Sequence, residues 1–189
     1  AGPQTFEVAA ASITLGQASG NIDPFVLFSA SATNTSLVGK TYSAAFSIPI
    51  ALTGPVNSSA SVSYSLTTGP NAGATIAPTS GVGKVVDSQD LRFSPFSSVD
   101  KEVDVGDAFS VLAGVTAGSP VYSDTGFFTL TGAPYTLMSV LIGFALTPES
   151  AVGLSGSVVQ TPIPEPGTLA LLLAGLFGFV AIARRRIAA

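Results

Sequence analysis

Cysteine, histidine and tryptophan are all missing from the 189 residues. Without cysteine there is no disulfide framework and no thiolate metal site. Without histidine, catalytic triads built on an imidazole and imidazole zinc sites are excluded as well. Charge is also scarce: charged residues make up 10 % of the chain, against about a quarter in an ordinary soluble domain. The bases are scarcer than the acids. Residues 1–163 hold ten acidic side chains and only Lys40, Lys84, Arg92 and Lys101 as bases. Such an acidic body argues against nucleic acid as a partner, because phosphates call for Lys and Arg. The three remaining bases, Arg184, Arg185 and Arg186, are gathered at the C-terminal end.

What fills the gap is serine, threonine, glycine, alanine and valine, a composition that favours strands over surface helices. The chain opens on Ala1-Gly2-Pro3 rather than methionine, which fits an export signal removed at a small-residue cleavage site. Residues 3–15 read as a first strand with a bulge at the alanines, and Gly16 to Pro24 as loop. Phe25-Val26-Leu27-Phe28 reads as a buried strand or a short plug. From Thr41 to Leu52, Tyr42, Ala44, Phe46, Ile48 and Ile50 recur with period two, and Pro49 points to an edge or a bulge. Ala60, Val62, Tyr64 and Leu66 then alternate with serines, the pattern of a half-buried strand. Across the Gly54-Pro55 turn the two runs are expected to form an antiparallel hairpin. Further strands are expected near Thr75-Ile76 and over 84–93, 108–115, 121–131, 136–146 and 152–159.

About nine strands with turns every eight to twelve residues, and no amphipathic helix before residue 160, predict an all-β fold. The expected form is an antiparallel β-sandwich or jelly-roll-like domain over 1–159. Residues 160–167, Gln-Thr-Pro-Ile-Pro-Glu-Pro-Gly, are expected to be a Pro-rich spacer. Residues 168–189 are expected to form one C-terminal hydrophobic helix with an arginine-rich end.

The run from Thr168 to Ala183 carries no charge. Its apolar body is Leu169, Leu172, Leu173, Leu176, Phe177, Phe179 and Val180. As a helix it is about 24 Å long, somewhat short of a bilayer core of roughly 30 Å. A basic cluster directly after an apolar run marks the cytoplasmic side of a membrane. Pro164-Glu165-Pro166, the apolar run and the closing Arg184-Arg185-Arg186 together resemble the PEP-CTERM sorting signal of Gram-negative bacteria. The resemblance implies export across the inner membrane, tethering there as a precursor, and recognition of the tail by an exosortase. It implies a secreted or cell-surface protein in bacteria that make exopolysaccharide, and assigns the body no catalytic activity.

In the body, the densest acidic cluster is Asp100, Glu102, Asp104 and Asp107, with Asp87 and Asp90 upstream. Alternation places the first three on one strand face, and hard oxygen ligands of this kind suit Ca²⁺. The spacing does not match an EF-hand loop, and a solvated edge strand whose charges block edge-to-edge pairing is the stronger reading. No other cofactor is expected. Paired carboxylates also serve glycoside hydrolysis, but nothing marks a cleft. Tyr42, Tyr64, Tyr122 and Tyr135 read as core or cross-strand partners. Asn34-Thr35-Ser36 and Asn57-Ser58-Ser59 match the N-glycosylation pattern.

The expected function is therefore non-enzymatic: a secreted or cell-surface structural or extracellular-matrix protein. If the tail is retained outside a membrane, its apolar residues need burial against copies of themselves, which points to a homo-oligomer or a filament. The alternative is an exopolysaccharide-binding or adhesive module.

Overall fold

The computed structural model describes residues 4–8, 11–15, 24–69, 72–79, 81–92, 98–114, 121–131 and 134–163. Beyond these it describes only Gly167, Leu171, Ala174 and Gly175, each with helical backbone. The expected helix as an element therefore lies outside the described residues. So do Pro164, Glu165 and Pro166, the seven apolar side chains named for the helix, and Arg184, Arg185 and Arg186.

Among the described residues twelve strands form in chain order: β1 (Gln4–Val8), β2 (Ala11–Leu15), β3 (Phe25–Asn34), β4 (Lys40–Leu52), β5 (Val56–Thr68) and β6 (Ala74–Pro78), then β7 (Val86–Arg92), β8 (Ser98–Lys101), β9 (Phe109–Val111), β10 (Val121–Leu130), β11 (Tyr135–Leu146) and β12 (Ser150–Pro162). All pairings are antiparallel and fall into two sheets. Sheet 1 has the order β1-β2-β3-β12-β5-β10. Sheet 2 is built on β11, which pairs with β4 along one edge and with β7 and then β6 along the other. β8 extends β7, and β9 extends β6.

The alternation read from the sequence is the alternation of the sandwich. Val26, Phe28, Ala30 and Ala32 of β3 and Ala60, Val62, Tyr64 and Leu66 of β5 are buried. Across from them lie Met138, Val140, Ile142, Phe144 and Leu146 of β11. Burying a side chain of this size stabilises by about 1.5–3 kcal/mol, so the two inner faces supply the cohesion of the fold. Tyr42 stacks on Phe144 across β4 and β11, with centroids 5.4 Å apart, and Tyr64 stacks on Tyr122 across β5 and β10 at 4.5 Å. Gly156 of β12 leaves the space that the Phe28 ring fills; a Cβ there would lie 2.5 Å from the ring and 2.3 Å from Ser61 O.

Several expectations are corrected. The first strand is two strands, β1 and β2, paired with each other. Phe25–Phe28 is the start of a ten-residue strand rather than a plug. β4 and β5 do not form a hairpin: β4 pairs with β11, and β5 pairs with β12 and β10 in the other sheet. The Gly54-Pro55 connection passes from one sheet to the other, with Gly54 at φ 85°. Pro49 does sit on a strand paired on one side only, at a register shift opposite Tyr135 and Leu137. β12 is a thirteen-residue central strand, so Gln160, Thr161 and Pro162 belong to the sheet rather than to the spacer.

Candidate functional site

The alternation that buries one side of sheet 1 turns the other to solvent. Register across β3, β12, β5 and β10 aligns the outward residues in rows. Ser29, Ser155, Ser63 and Ser123 form one row. Leu27, Ser157, Ser61 and Thr125 form the next, and Phe25, Val159, Ser59 and Phe127 the one after. The hydroxyls meet across strands: Ser61 and Ser157 at 2.9 Å, Ser63 and Ser155 at 3.3 Å, and Thr129 donates to Asn57 Oδ1 at 2.9 Å. No outward residue of these four strands is charged.

Among the described residues, three depressions lie on or at the ends of this face. A groove of about 650 Å³ runs between Phe127, Phe128 and Thr129 on one side and Asn57, Ser59 and Thr161 on the other. Phe127 is 81 % exposed and Phe128 50 %. A notch of about 250 Å³ opens over Gly153, bounded by Ser63, Ser65 and Ser155. A third depression of about 470 Å³, at the far end, is lined by Thr33, Thr67, Thr68 and Glu149. From Asn57 to Thr67 along β5 the track is about 34 Å at 3.4 Å per residue.

Buried Asn34 holds the far end in shape. Its amide nitrogen donates to the carbonyls of Val38, Leu146 and Thr147 at 2.9, 3.1 and 3.0 Å, and its Oδ1 accepts from Ser36. That network makes Asn34 structural and leaves its amide no access for glycan attachment. Next to it Glu149 takes a left-handed backbone, φ 49°, in the turn between β11 and β12, and its carbonyl accepts from Gly69 N at 2.9 Å. A non-glycine residue there is uncommon.

The four acids singled out in the sequence go to different partners. Asp100 accepts from the Tyr135 hydroxyl at 2.7 Å. Glu102 is buried and accepts from the Ser58 hydroxyl. Asp104 accepts from Ser88 N at 3.1 Å. Asp107 pairs with Lys84 at 2.8 Å, which holds its carboxyl below the usual range and raises the lysine. Lys84 also lies 3.8 Å from Asp124, whose carboxylate accepts from Gly106 N. Among the described residues, no three or more acidic side chains converge closely enough to hold a metal ion. The cluster is thus not a solvated strand face: Glu102 points into the sandwich and Asp107 belongs to a surface clasp with Tyr122.

A second group joins Asp90, one of the two acids upstream of that cluster, to Gln160, which the sequence did not single out. Asp90 and Gln160 are buried at the level of Ser58 and Glu102, and Gln160 donates to Asp90 Oδ2 at 2.7 Å. Burial first, then the adjacent Glu102 carboxyl, pushes Asp90 up to about 8.

At the end of β12 the backbone leaves the sheet through Ile163, whose N–H donates to Pro55 O at 2.9 Å. From there the sequence matches the family described as the PEP-CTERM protein-sorting motif, over residues 162–186. The chain carries a PEP-CTERM sorting motif. It is an exosortase substrate, membrane-anchored as a precursor and exported to the cell surface. The PEP-CTERM match covers the tail and leaves the sandwich unassigned. A comparison with curated proteins finds no sequence match. Among solved structures the chain is similar to infectious bursal disease virus, Gx strain, with a TM-score of 0.39, 11 % identity and coverage of 79 % of this chain. It spans only 31 % of that viral chain. A family 16 carbohydrate-binding module gives a TM-score of 0.33 and 8 % identity over 67 % of this chain and 72 % of its own. The N-terminal cellulose-binding domain of Cellulomonas fimi β-1,4-glucanase C gives 0.30 and 14 % over 82 % and 80 %. Among the described residues no helix is long and apolar enough to cross a membrane.

Proposed function

We propose that the chain is a non-catalytic cell-surface module that holds a neutral polysaccharide along the outer face of sheet 1. The observation that carries this reading is the charge-free hydroxyl carpet of β3, β12, β5 and β10, ending at exposed Phe127. Hydroxyls both donate and accept, so rows of serine can exchange hydrogen bonds with the hydroxyls of a sugar whichever way these point. An aromatic ring standing out of such a face supplies apolar area for the C–H face of a sugar ring. A track of about 34 Å is long enough for several sugar units in extended form. The absence of charge favours a neutral chain over a polyuronate, because an anionic polymer would find no cation there. The sorting motif supports the reading by placing the module at the cell surface.

Affinity electrophoresis of the full chain in gels containing a neutral β-glucan or a polyuronate tests the proposal. Retardation by the neutral polymer, lost in Phe127→Ala, is expected. Equal mobility in both gels and in polymer-free gel would contradict it. A second reading is structural: a filament with its C-terminal helices packed inside. It is supported by the uncharged run Thr168–Ala183, whose exposure to water would be costly. Electron microscopy showing only detergent-free monomers with intact tails would sink it.

A further inference from the structure

The buried polar group between the sheets has a chemistry that the sugar face does not use. Inward positions of β5 run Val56, Ser58, Ala60, Val62, and those of β12 run Val152, Leu154, Gly156, Val158, Gln160. Both apolar runs are interrupted at one level, where Ser58 and Gln160 are register partners. From the opposite sheet Asp90 of β7 points in at the same level, and Glu102 joins it from the segment after β8. This layer separates the main apolar core from the small cluster of Leu52, Val56, Leu130 and Tyr135.

Asp90 is fully buried, Gln160 is 3 % exposed and Glu102 5 %. Three of their oxygens, Asp90 Oδ1, Glu102 Oε1 and Gln160 Oε1, have no hydrogen-bond partner among the described residues. Among the described residues they are the buried side-chain atoms left in that state, and all three belong to this one cluster. Gln160 is aimed into the cluster, since its amide nitrogen bonds Asp90 Oδ2 at 2.7 Å. The Asp90 and Glu102 carboxyls are within hydrogen-bond reach of each other, and Asp100 lies opposite Asp90 in the ladder. Among the described residues the ion pairs are those of Lys84 with Asp107 and Asp124, and none of these reaches a carboxyl of the cluster.

Unpaired buried oxygens cost about 1–3 kcal/mol each, and more when charged. One proton shared by Asp90 and Glu102 would satisfy two of the three and leave Gln160 Oε1 without a donor. A cation satisfies all three at once. Hard divalent cations take carboxylate and amide carbonyl oxygens together, so two carboxylates and one amide form part of a shell without a third acid.

We propose that Asp90, Glu102 and Gln160 form an inter-sheet site for a hard divalent cation of the calcium class, with the Ser58 hydroxyl holding Glu102 in place. The cation ties β7 and the β8 segment of sheet 2 to β5 and β12 of sheet 1.

The test is the melting temperature of the full chain, stripped with a chelator and then titrated with CaCl₂ or MgCl₂ alone. A Ca²⁺-dependent rise of several degrees is expected. Glu102→Gln and Asp90→Asn should each lower the Ca²⁺ affinity at least tenfold; Asp104→Asn, outside the cluster, should leave it unchanged. No Ca²⁺- or Mg²⁺-dependent shift would overturn the site. An unaltered Ca²⁺ response in the two cluster variants would also overturn it.

Discussion

In metal-free buffer the buried Asp90 carboxyl should make the sandwich lose stability between pH 6 and pH 8.5. The cause is burial, reinforced by Glu102 and then Asp100, and opposed only by the Gln160 amide; Asp100 itself is held by the Tyr135 hydroxyl. The folded state keeps the Asp90 proton up to about 8, whereas an unfolded chain releases it near 4. Between those limits the folded state binds the extra proton, so stability is full at low pH and falls as pH rises through 8. The slope is at most about 1.4 kcal/mol per pH unit. From pH 6 to pH 8 it comes to about 2 kcal/mol once the flattening near the folded pKa is included. For a chain of this length that is a fall in Tm of about 4–8 °C. Circular dichroism melts of the chelator-treated chain at half-unit pH steps measure it, with Asp90→Asn as the control whose profile should be flat. A flat profile in the unaltered chain, or the same slope in Asp90→Asn, would refute the reasoning.

Three further outcomes follow from the packing. Gly156→Ala places a methyl group against the Phe28 ring and Ser61 O, and should cost about 1–3 kcal/mol in urea unfolding. Asn34→Ala strips three buried or partly buried carbonyls of their donor and should destabilise by at least about 2 kcal/mol in the same assay. Phe127→Ala removes an exposed ring, so its Tm should stay within about 2 °C of the unaltered chain, consistent with a surface substitution of under 0.5 kcal/mol.

The strands were legible because one face of each is buried. The serine alternation of β5 marks both its existence and its inner face, and the runs of β10 and β11 were bounded closely. Partners were not legible. Period two says which side chains point inward, but it is the same for a hairpin and for a crossover to the other sheet, so β4 and β5 looked like neighbours. Likewise β12 looked short, since Gln160 breaks its apolar alternation at the position where the sheet buries a polar side chain. The polar layer had a signal in the sequence: Ser58, Asp90 and Gln160 each occupy a position whose phase is inward. Only the pairing of Ser58 with Gln160 and the Gln160–Asp90 hydrogen bond across the sheets show that the three sit at one level. Phe127-Phe128 also carried a signal, because two consecutive large apolar residues on an alternating strand cannot both face the core. The four tyrosines were read as packing residues; Tyr42, Tyr64 and Tyr135 are buried and Tyr122 stacks on Tyr64.

The central claim is that the hydroxyl face of sheet 1 binds a neutral polysaccharide. The most direct measurement is a binding isotherm of the full chain on insoluble neutral β-glucan, with the unaltered protein beside a Ser63→Asp, Ser155→Asp double variant. That variant sets two like charges into the middle row of the face, where the parent hydroxyls are 3.3 Å apart, and leaves Phe127 in place. Saturable binding by the unaltered chain, weakened at least tenfold in the variant while its far-ultraviolet circular dichroism is unchanged, is the predicted result. Absence of saturable binding by the unaltered chain, or equal binding by a folded variant, would contradict the account.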